Sequence, residues 1–429
     1  MSAKPIGLYT ATSLVIANMV GTGVFTSLGF QVLGIHSVFA LLLLWIIGGV
    51  AATCGALAYG ELGAAMPRSG GEYHYLSKIF HPVVGFLSGW VSATVGFAAP
   101  VALAAMALGD YTSRILTQLK PLPVALAAVV LITILHATDV RLGSRFQVLF
   151  TSMKVVLIVF LIGAGLAIGG VPGHHISLAP AGALKDIFSR DFAVSLFFVS
   201  YAYSGWNASA YLAGEIENPQ RNLPRSLLQG TLVVTALYVL LNFVFLYTTP
   251  MDQLAGQVEV GYIAATSIFG TTGGKLMGMV IALLLVSSVS SMIMAGPRVA
   301  QVMGQDVPLL GFLAKTTRAG VPATAIAIQS SITVVLILTS SFERVITYMG
   351  FTLNLFTLLT GAGLIALRIK QPNLPRPVRM WGYPWTAIVF LLIGLWLLIY
   401  GLVYKPTESL AGLATVLTGL IVYSLGKKK

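Results

Sequence analysis

Three stretches of this 429-residue chain carry residues whose types and spacing suit binding chemistry in an apolar medium. The first is residues 14–25, LVIANMVGTGVF. It lies in the middle of an apolar run long enough to cross a bilayer, yet Gly21-Thr22-Gly23 are poor helix formers. Backbone N–H and C=O groups inside a bilayer must be paired, so a break at that depth is tolerated only where protein or a polar ligand satisfies them. A helix broken at mid-membrane turns the amino-terminal end of its second half toward anions. The carboxy-terminal end of its first half faces cations. That pair of ends suits a zwitterion such as an amino acid. The same glycines also suit close helix packing, and the stretch alone does not separate the two readings.

The second stretch is residues 200–207, SYAYSGWN, another apolar segment interrupted near its middle by Ser204 and Gly205. Tyr201, Tyr203 and Trp206 flank it, and an aromatic beside an unwound site can close over it like a lid. Asn207-Ala208-Ser209 fits a glycosylation pattern that is inert at this depth. The third is Lys154. Arg145 marks the edge of its segment, and nine helical residues rise about 14 Å, which puts the ammonium near the bilayer midplane. A lysine there costs at least about 2.5 kcal/mol and marks a functional position. No Asp or Glu is expected at comparable depth. Its partners should then be carbonyls of the broken first segment, such as Ala17 and Val20, and hydroxyls of Ser287 and Ser288. Those serines would equally serve as helix-packing glue.

These residues need helices to position them, and the composition supplies helices of one kind. The chain is 57% hydrophobic and 9% charged, with a mean hydropathy of +0.89. A soluble chain carries about 25% charged residues, so this is an all-α polytopic membrane protein. Strands of a membrane barrel would alternate apolar and polar residues, and these segments do not. Twelve transmembrane helices are expected, at about residues 8–30, 37–65, 83–108, 122–138, 146–169, 192–213, 227–249, 274–297, 323–340, 345–368, 385–403 and 408–426. The two interrupted segments are the first and the sixth. Matching breaks five spans apart point to a 5+5 inverted repeat, about residues 8–170 and 190–368, with two C-terminal helices outside it. The whole is one transmembrane domain, and no cleavable signal peptide is expected.

Basic residues set the orientation. With the N-terminus inside, the cytoplasmic segments hold Lys4, Arg68, Lys78, Arg141, Arg145, Arg221, Arg225, Arg298, Lys315, Arg318, Arg368, Lys370, Arg376, Arg379, Lys427, Lys428 and Lys429. The outer segments hold only Arg114, Lys120, Lys185, Arg190, Lys275, Arg344 and Lys405. That bias places both termini in the cytoplasm. The net charge of +12 reflects this excess and does not point to nucleic acid. Enzyme signatures are missing: there is no zincin or phosphate-loop motif, no Cys/His cluster and no intramembrane carboxylate pair. No metal or cofactor is expected. His136 and Asp139 end the fourth span without an evident partner, and His174 and His175 fall in a solvated outer loop. The turn at residues 66–73, MPRSGGEY, reads as structural or gating. Residues 215–225 read as a cytoplasmic loop with a solvated, partly paired charged face.

With these residues in hand, the chain resembles the amino acid–polyamine–organocation superfamily, and within it the L-type amino acid transporter branch. The matching stretches are residues 20–25 (VGTGVF) and 67–73 (PRSGGEY), Lys154, Tyr203, Gly205-Trp206-Asn207, Glu217-Asn218-Pro219, Asn222-Leu223-Pro224-Arg225, Arg298 and Arg376-Pro377. They run in the right order over nearly the whole chain. The resemblance implies the leucine-transporter-type fold and alternating access. It implies that Gly21, Thr22 and Gly23 line the carboxylate end of a substrate, held by the Thr22 and Gly23 amides. The Met19, Tyr201 and Ser204 carbonyls would hold its ammonium, with Gly205 and Asn207 beside them and Tyr201 as gate. It also implies that Lys154 replaces a bound sodium, bridging spans one, five and eight. Ser204 stands where the family often has Asp or Gly, and Pro297 precedes Arg298 where a small hydroxyl residue is common. The animal branch uses a disulfide-linked accessory glycoprotein. With Cys54 alone, inside span two, none is expected here.

These readings converge on a sodium-independent secondary transporter of neutral L-amino acids in the plasma (inner) membrane, working as an exchanger or a proton-coupled symporter. No carboxylate is expected near either break to pair with a basic side chain. The alternatives are a transporter of cationic amino acids, polyamines or other amines, and a membrane amino acid sensor that moves nothing.

Overall fold

The computed structural model describes residues 6–138, 143–169, 176–178, 183–317 and 320–426. Lys4, Asp139, Arg141, His174, His175, Arg318 and the three terminal lysines, which the sequence places in loops and tails, lie outside the described residues. The first segment is two helices, α1 (Leu8–Met19) and α2 (Gly23–Gln31), separated at residues 20–22. Then follow α3 (Val38–Ala65), α4 (Gly71–Ile79), α5 (Pro82–Val91), a π-helical turn Ser92–Gly96 and α6 (Ala98–Ile115). Next come α7 (Pro121–Thr138), α8 (Gly143–Ile168), α9 (Ala183–Ile187) and α10 (Arg190–Tyr203). After a break, a 3-10 helix (Ala208–Glu215) leads to α11 (Pro219–Thr248) and α12 (Met251–Leu254). The chain ends with α13 (Val260–Asp306), a 3-10 turn Pro308–Ala314, α14 (Ala323–Thr339), α15 (Phe342–Lys370), α16 (Trp385–Tyr404) and α17 (Pro406–Gly426). The one β-type pairing among the described residues is an isolated bridge between Ile6 and Ile216.

Nine of the described helical segments are long and apolar enough to cross a membrane, and two shorter apolar helices, Pro121–Ala137 and Ala323–Thr339, accompany them. The protein is thus an all-helical, multi-pass membrane protein. Its helices overrun several expected edges. Part of the expected loop at residues 215–225 is the start of α11. Asn218, at φ 47°, turns the chain, and Pro219 takes a first-turn position where its missing N–H is not needed. The expected span at 274–297 is the middle of the longer α13, which bends at Gly270.

Three apolar cores organise the described part of the bundle, the smallest around Phe86, Met303 and Leu313. The largest joins α1, α2, α3, α10, α11, α15 and α16. The second packs α6, α7, α13 and α14. The breaks lie in the largest one. A clamp closes one end of it. Glu61, near the end of α3, is 1% exposed. Arg368 of α15 grips it with two bonds, Nε to Oε1 at 2.9 Å and Nη2 to Oε2 at 2.5 Å. Arg376 Nε stands 3.4 Å from Oε1, and the Met380 N–H donates to Oε2 at 2.6 Å. The Arg368 guanidinium also lies over the Tyr383 ring, 3.7 Å from its centroid.

A buried carboxylate between two guanidiniums is destabilising to break, by about 3–5 kcal/mol, because the charges left behind stay buried and unpaired. Glu61→Ala should therefore lower the melting temperature of the detergent-solubilised protein by several degrees, while Lys78→Ala, on the exposed side of α4, should leave it where it is.

Candidate binding site

The site is built from the two helix breaks. α1 ends at Met19 because Val20 leaves helical geometry (φ −74°, ψ 89°) and glycine follows. α2 restarts at Gly23, with a Thr22 N–H and a Gly23 N–H that donate to no group among the described residues. These are the unpaired donors every helix start carries, with the positive end of the helix dipole behind them. α10 ends at Tyr203, and the Ser204 N–H closes its last turn on the Tyr201 carbonyl at 3.0 Å.

The two breaks touch. A Cβ placed on Gly23 would lie 2.5 Å from the Ala202 Cα, so α2 packs backbone-to-backbone on α10. Gly205 holds φ +95°, and a Cβ there would meet the Asn18 carbonyl oxygen at 2.7 Å. Glycine is required twice over at this position, by conformation and by space. Gly21 differs, for its Cβ would find nothing nearer than the Met19 oxygen at 3.9 Å. The surface over Gly21 is open, while Gly23 and Gly205 are packing positions.

Each expected site residue has a definite place. The Thr22 and Tyr201 hydroxyls are hydrogen-bonded to each other, and both residues are buried, which draws Tyr201 across the first break. The Met19 carbonyl accepts from the Tyr238 hydroxyl of α11 at 2.7 Å. Lys154 is buried in α8 and donates to Ser288 Oγ of α13 at 2.7 Å. Ser287 is buried beside Ser288. Neither the Ala17 nor the Val20 carbonyl accepts from Lys154 among the described hydrogen bonds. Asn207 is half-buried, with Nδ2 3.3 Å from Glu72 Oε1 and 3.5 Å from the Tyr211 hydroxyl.

That last contact corrects the expectation that no carboxylate lies near either break. Glu72 lies in a short helix between two spans, so counting charges within spans misses it. His136 is corrected as well: it is buried, and its Nε2 pairs with Ser290 Oγ at 2.8 Å. Two further residues escaped the sequence reading. Tyr238 and Asn242 sit one turn apart in α11, and both are buried. Such a polar pair in the seventh span is the signal that would have found them.

A helix start with free amides stands opposite the ends of two other half-helices, in a protein whose remaining length crosses a membrane. That arrangement suits a membrane carrier. The chain belongs to the amino acid permease family, whose sequence pattern it matches over residues 6–422. The chain is 31% identical to the large neutral amino acids transporter small subunit 2 of Mus musculus over 441 residues, 99% of this chain and 81% of the relative. It is 29% identical to the b(0,+)-type amino acid transporter 1 of Homo sapiens, covering 98% of this chain and 88% of that one. It is 27% identical to the Asc-type amino acid transporter 1 of Mus musculus, covering 99% and 81%. These are transporters and not enzymes, and they uphold the resemblance read from the sequence.

The glycines separate packing from binding. Gly205→Ala should lower the melting temperature, since strain and the Asn18 clash both act on the folded state. Gly21→Val should purify and melt like the wild type yet lose any stabilisation by ligand, as read by thermal shift. Unchanged ligand response in Gly21→Val would remove Gly21 from the site.

Proposed function

We propose that the protein moves neutral L-amino acids across the plasma (inner) membrane without sodium, by alternating access, as an exchanger or a proton-coupled symporter. The observation that carries this reading is the direct contact of the two breaks, with the Thr22 and Gly23 amides free at the start of α2. A carboxylate fits against those amides. An α-ammonium fits the carbonyl ends of α1 and α10, where Met19, Tyr201 and Ser204 lie. Tyr201, already bonded to Thr22, is the gate over the bound molecule.

Lys154 supports sodium independence. Its Nζ, held by Ser288, stands between α8 and α13, where a cation would otherwise join these helices to the first break. Glu72 does not argue for cationic substrates. Tyr59, Ser88, Thr357 and Asn207 all donate to it, so its oxygens are taken. The nine long segments, the two shorter apolar helices and the broken sixth segment support twelve spans. Breaks in the first and sixth segments support a 5+5 inverted repeat over residues 8–170 and 190–368. The basic residues support cytoplasmic termini. Cys54, the chain's one cysteine, is buried in α3, which argues against a disulfide-linked accessory subunit.

A ligand that binds the native state raises its stability by mass action, by about 2.7 kcal/mol at a hundred times its dissociation constant. The purified protein should be stabilised in detergent by a subset of neutral L-amino acids, equally with and without sodium. Stabilisation only with sodium would overturn the role given to Lys154. In liposomes, Lys154→Ala should fold but lose most counterflow of radiolabelled substrate, and wild-type rates in that variant would sink the ion-substitute role.

A further inference from the structure

Glu72 belongs to none of the roles above, yet it is among the most enclosed carboxyls of the protein, at 5% exposed. The chain reaches it through Gly70 (φ +121°) and Gly71 (φ +52°), which fold the end of α3 back into α4. That turn is pinned to the 3-10 helix following the second break. The Gly70 N–H donates to the Tyr211 carbonyl at 3.2 Å, and the Gly214 N–H to Ser69 Oγ at 3.0 Å. Glu72 then points into a ring of four donors from four separate elements. The Tyr59 hydroxyl of α3 is 2.5 Å from Oε1. Thr357 Oγ1 of α15 and Asn207 Nδ2 of the break are each 3.3 Å from the same oxygen. Ser88 Oγ of α5 is 3.5 Å from Oε2.

No cation balances this carboxyl among the described residues. The Glu61 clamp has its own arginines. Arg68, His74 and Lys78 line a different cavity, of about 420 Å³. There, burial and the charges of Arg68 and Lys78 hold the His74 imidazole below its usual range. The titratable groups facing Glu72 are phenols: Tyr59 from α3, Tyr211 from the 3-10 helix and Tyr75 from α4 itself. α5 and α15 present only Ser88 and Thr357. Phenols stay neutral to about pH 10.

An ionised carboxyl enclosed without a counter-charge is costly, so such a group tends to take up a proton. Burial raises the Glu72 carboxyl above its ordinary range, against the pull of its donors. The ring accommodates the proton too. Three of its four donors are hydroxyls, which reverse their direction freely. With the proton on Oε2, Ser88 Oγ turns acceptor, while Oε1 goes on accepting from Tyr59, Thr357 and Asn207.

We propose that Glu72 is a proton-binding latch: protonated, it holds the unwound 204–207 stretch to α3, α5 and α15; opened to water, it gives that proton to the aqueous phase and lets Asn207 go. Glu72 is a positioning residue that touches no substrate. The proposal rests on the transport reading and deepens it by naming the proton as the ion whose binding follows the cycle.

Two measurements test it, one of which needs no substrate. A carboxyl whose pKa is raised by folding stabilises the folded state at low pH, and that stability is lost as pH rises through the raised value. The wild-type melting temperature should therefore fall from mildly acidic to mildly alkaline pH, by more than in Glu72→Gln, whose amide stays neutral throughout. Glu72→Asp, which keeps the carboxyl, should restore the steeper fall. In liposomes, wild-type counterflow should change with pH, and Glu72→Gln should be pH-independent or slowed at every pH, as a latch fixed shut would be. Superimposable melting profiles for wild type and Glu72→Gln overturn the proton site. An unchanged pH profile of counterflow in Glu72→Gln overturns its coupling to transport. If the wild type exchanges no amino acid at all, the transport reading fails, and the melting profiles still decide whether Glu72 binds the proton.

Discussion

The structure turns on one constraint: backbone polar groups in a bilayer must be paired, and two of its apolar segments nonetheless stop being helices partway through. The protein meets this by setting the breaks against each other in the interior. Gly23 rests on Ala202 and Gly205 rests on Asn18. Tyr238 satisfies the Met19 carbonyl, and Thr22 and Tyr201 satisfy each other. Among the described residues the Thr22 and Gly23 amides at the start of α2 stay unpaired, where the proposed carboxylate would sit. α3, α11 and α15 share the largest core with these groups.

Polarity elsewhere follows the same economy. Lys154 and His136 each bond to the serine-rich stretch of α13, at Ser288 and Ser290. Two residues apart, these serines tie α8 and α7 to opposite sides of the longest helix. The buried carboxylates divide into two kinds. Glu61 is neutralised by guanidiniums and serves as a fixed strut. Glu72 is surrounded by hydroxyls and an amide, a setting that tolerates either protonation state. The two sit eleven residues apart in sequence and differ wholly in chemistry, because the partners come from different helices.

Much of this was legible in the sequence. The membrane class followed from composition, and the breaks from Gly21-Thr22-Gly23 and Ser204-Gly205, since few residue runs disfavour helix so plainly inside an apolar segment. Lys154 stood out by depth and found a predicted hydroxyl, Ser288. What sequence did not show was partnership across distant elements. Asn207 looked free for a ligand until α4 folded Glu72 onto it. His136 looked solitary until α7 lay against Ser290. Met19 looked open until Tyr238 arrived from α11. Edges failed where a helix continued past the apolar stretch, as in α11 and α13, because propensity and capping carry a helix beyond the membrane while hydropathy does not. The individual glycines were also ambiguous: only packing separates Gly21, with space above it, from Gly23 and Gly205, with none.

The Glu61 clamp has a bearing on how the protein is made. Synthesis runs from the N-terminus, so α3 enters the membrane early, while Arg368 lies 307 residues further on. During that interval the carboxylate has neither guanidinium to meet. The early bundle therefore carries a charge that only the last third of the chain can neutralise, and any nascent chain that stalls before α15 is left with it. The clamp can therefore close only after α15 has been made.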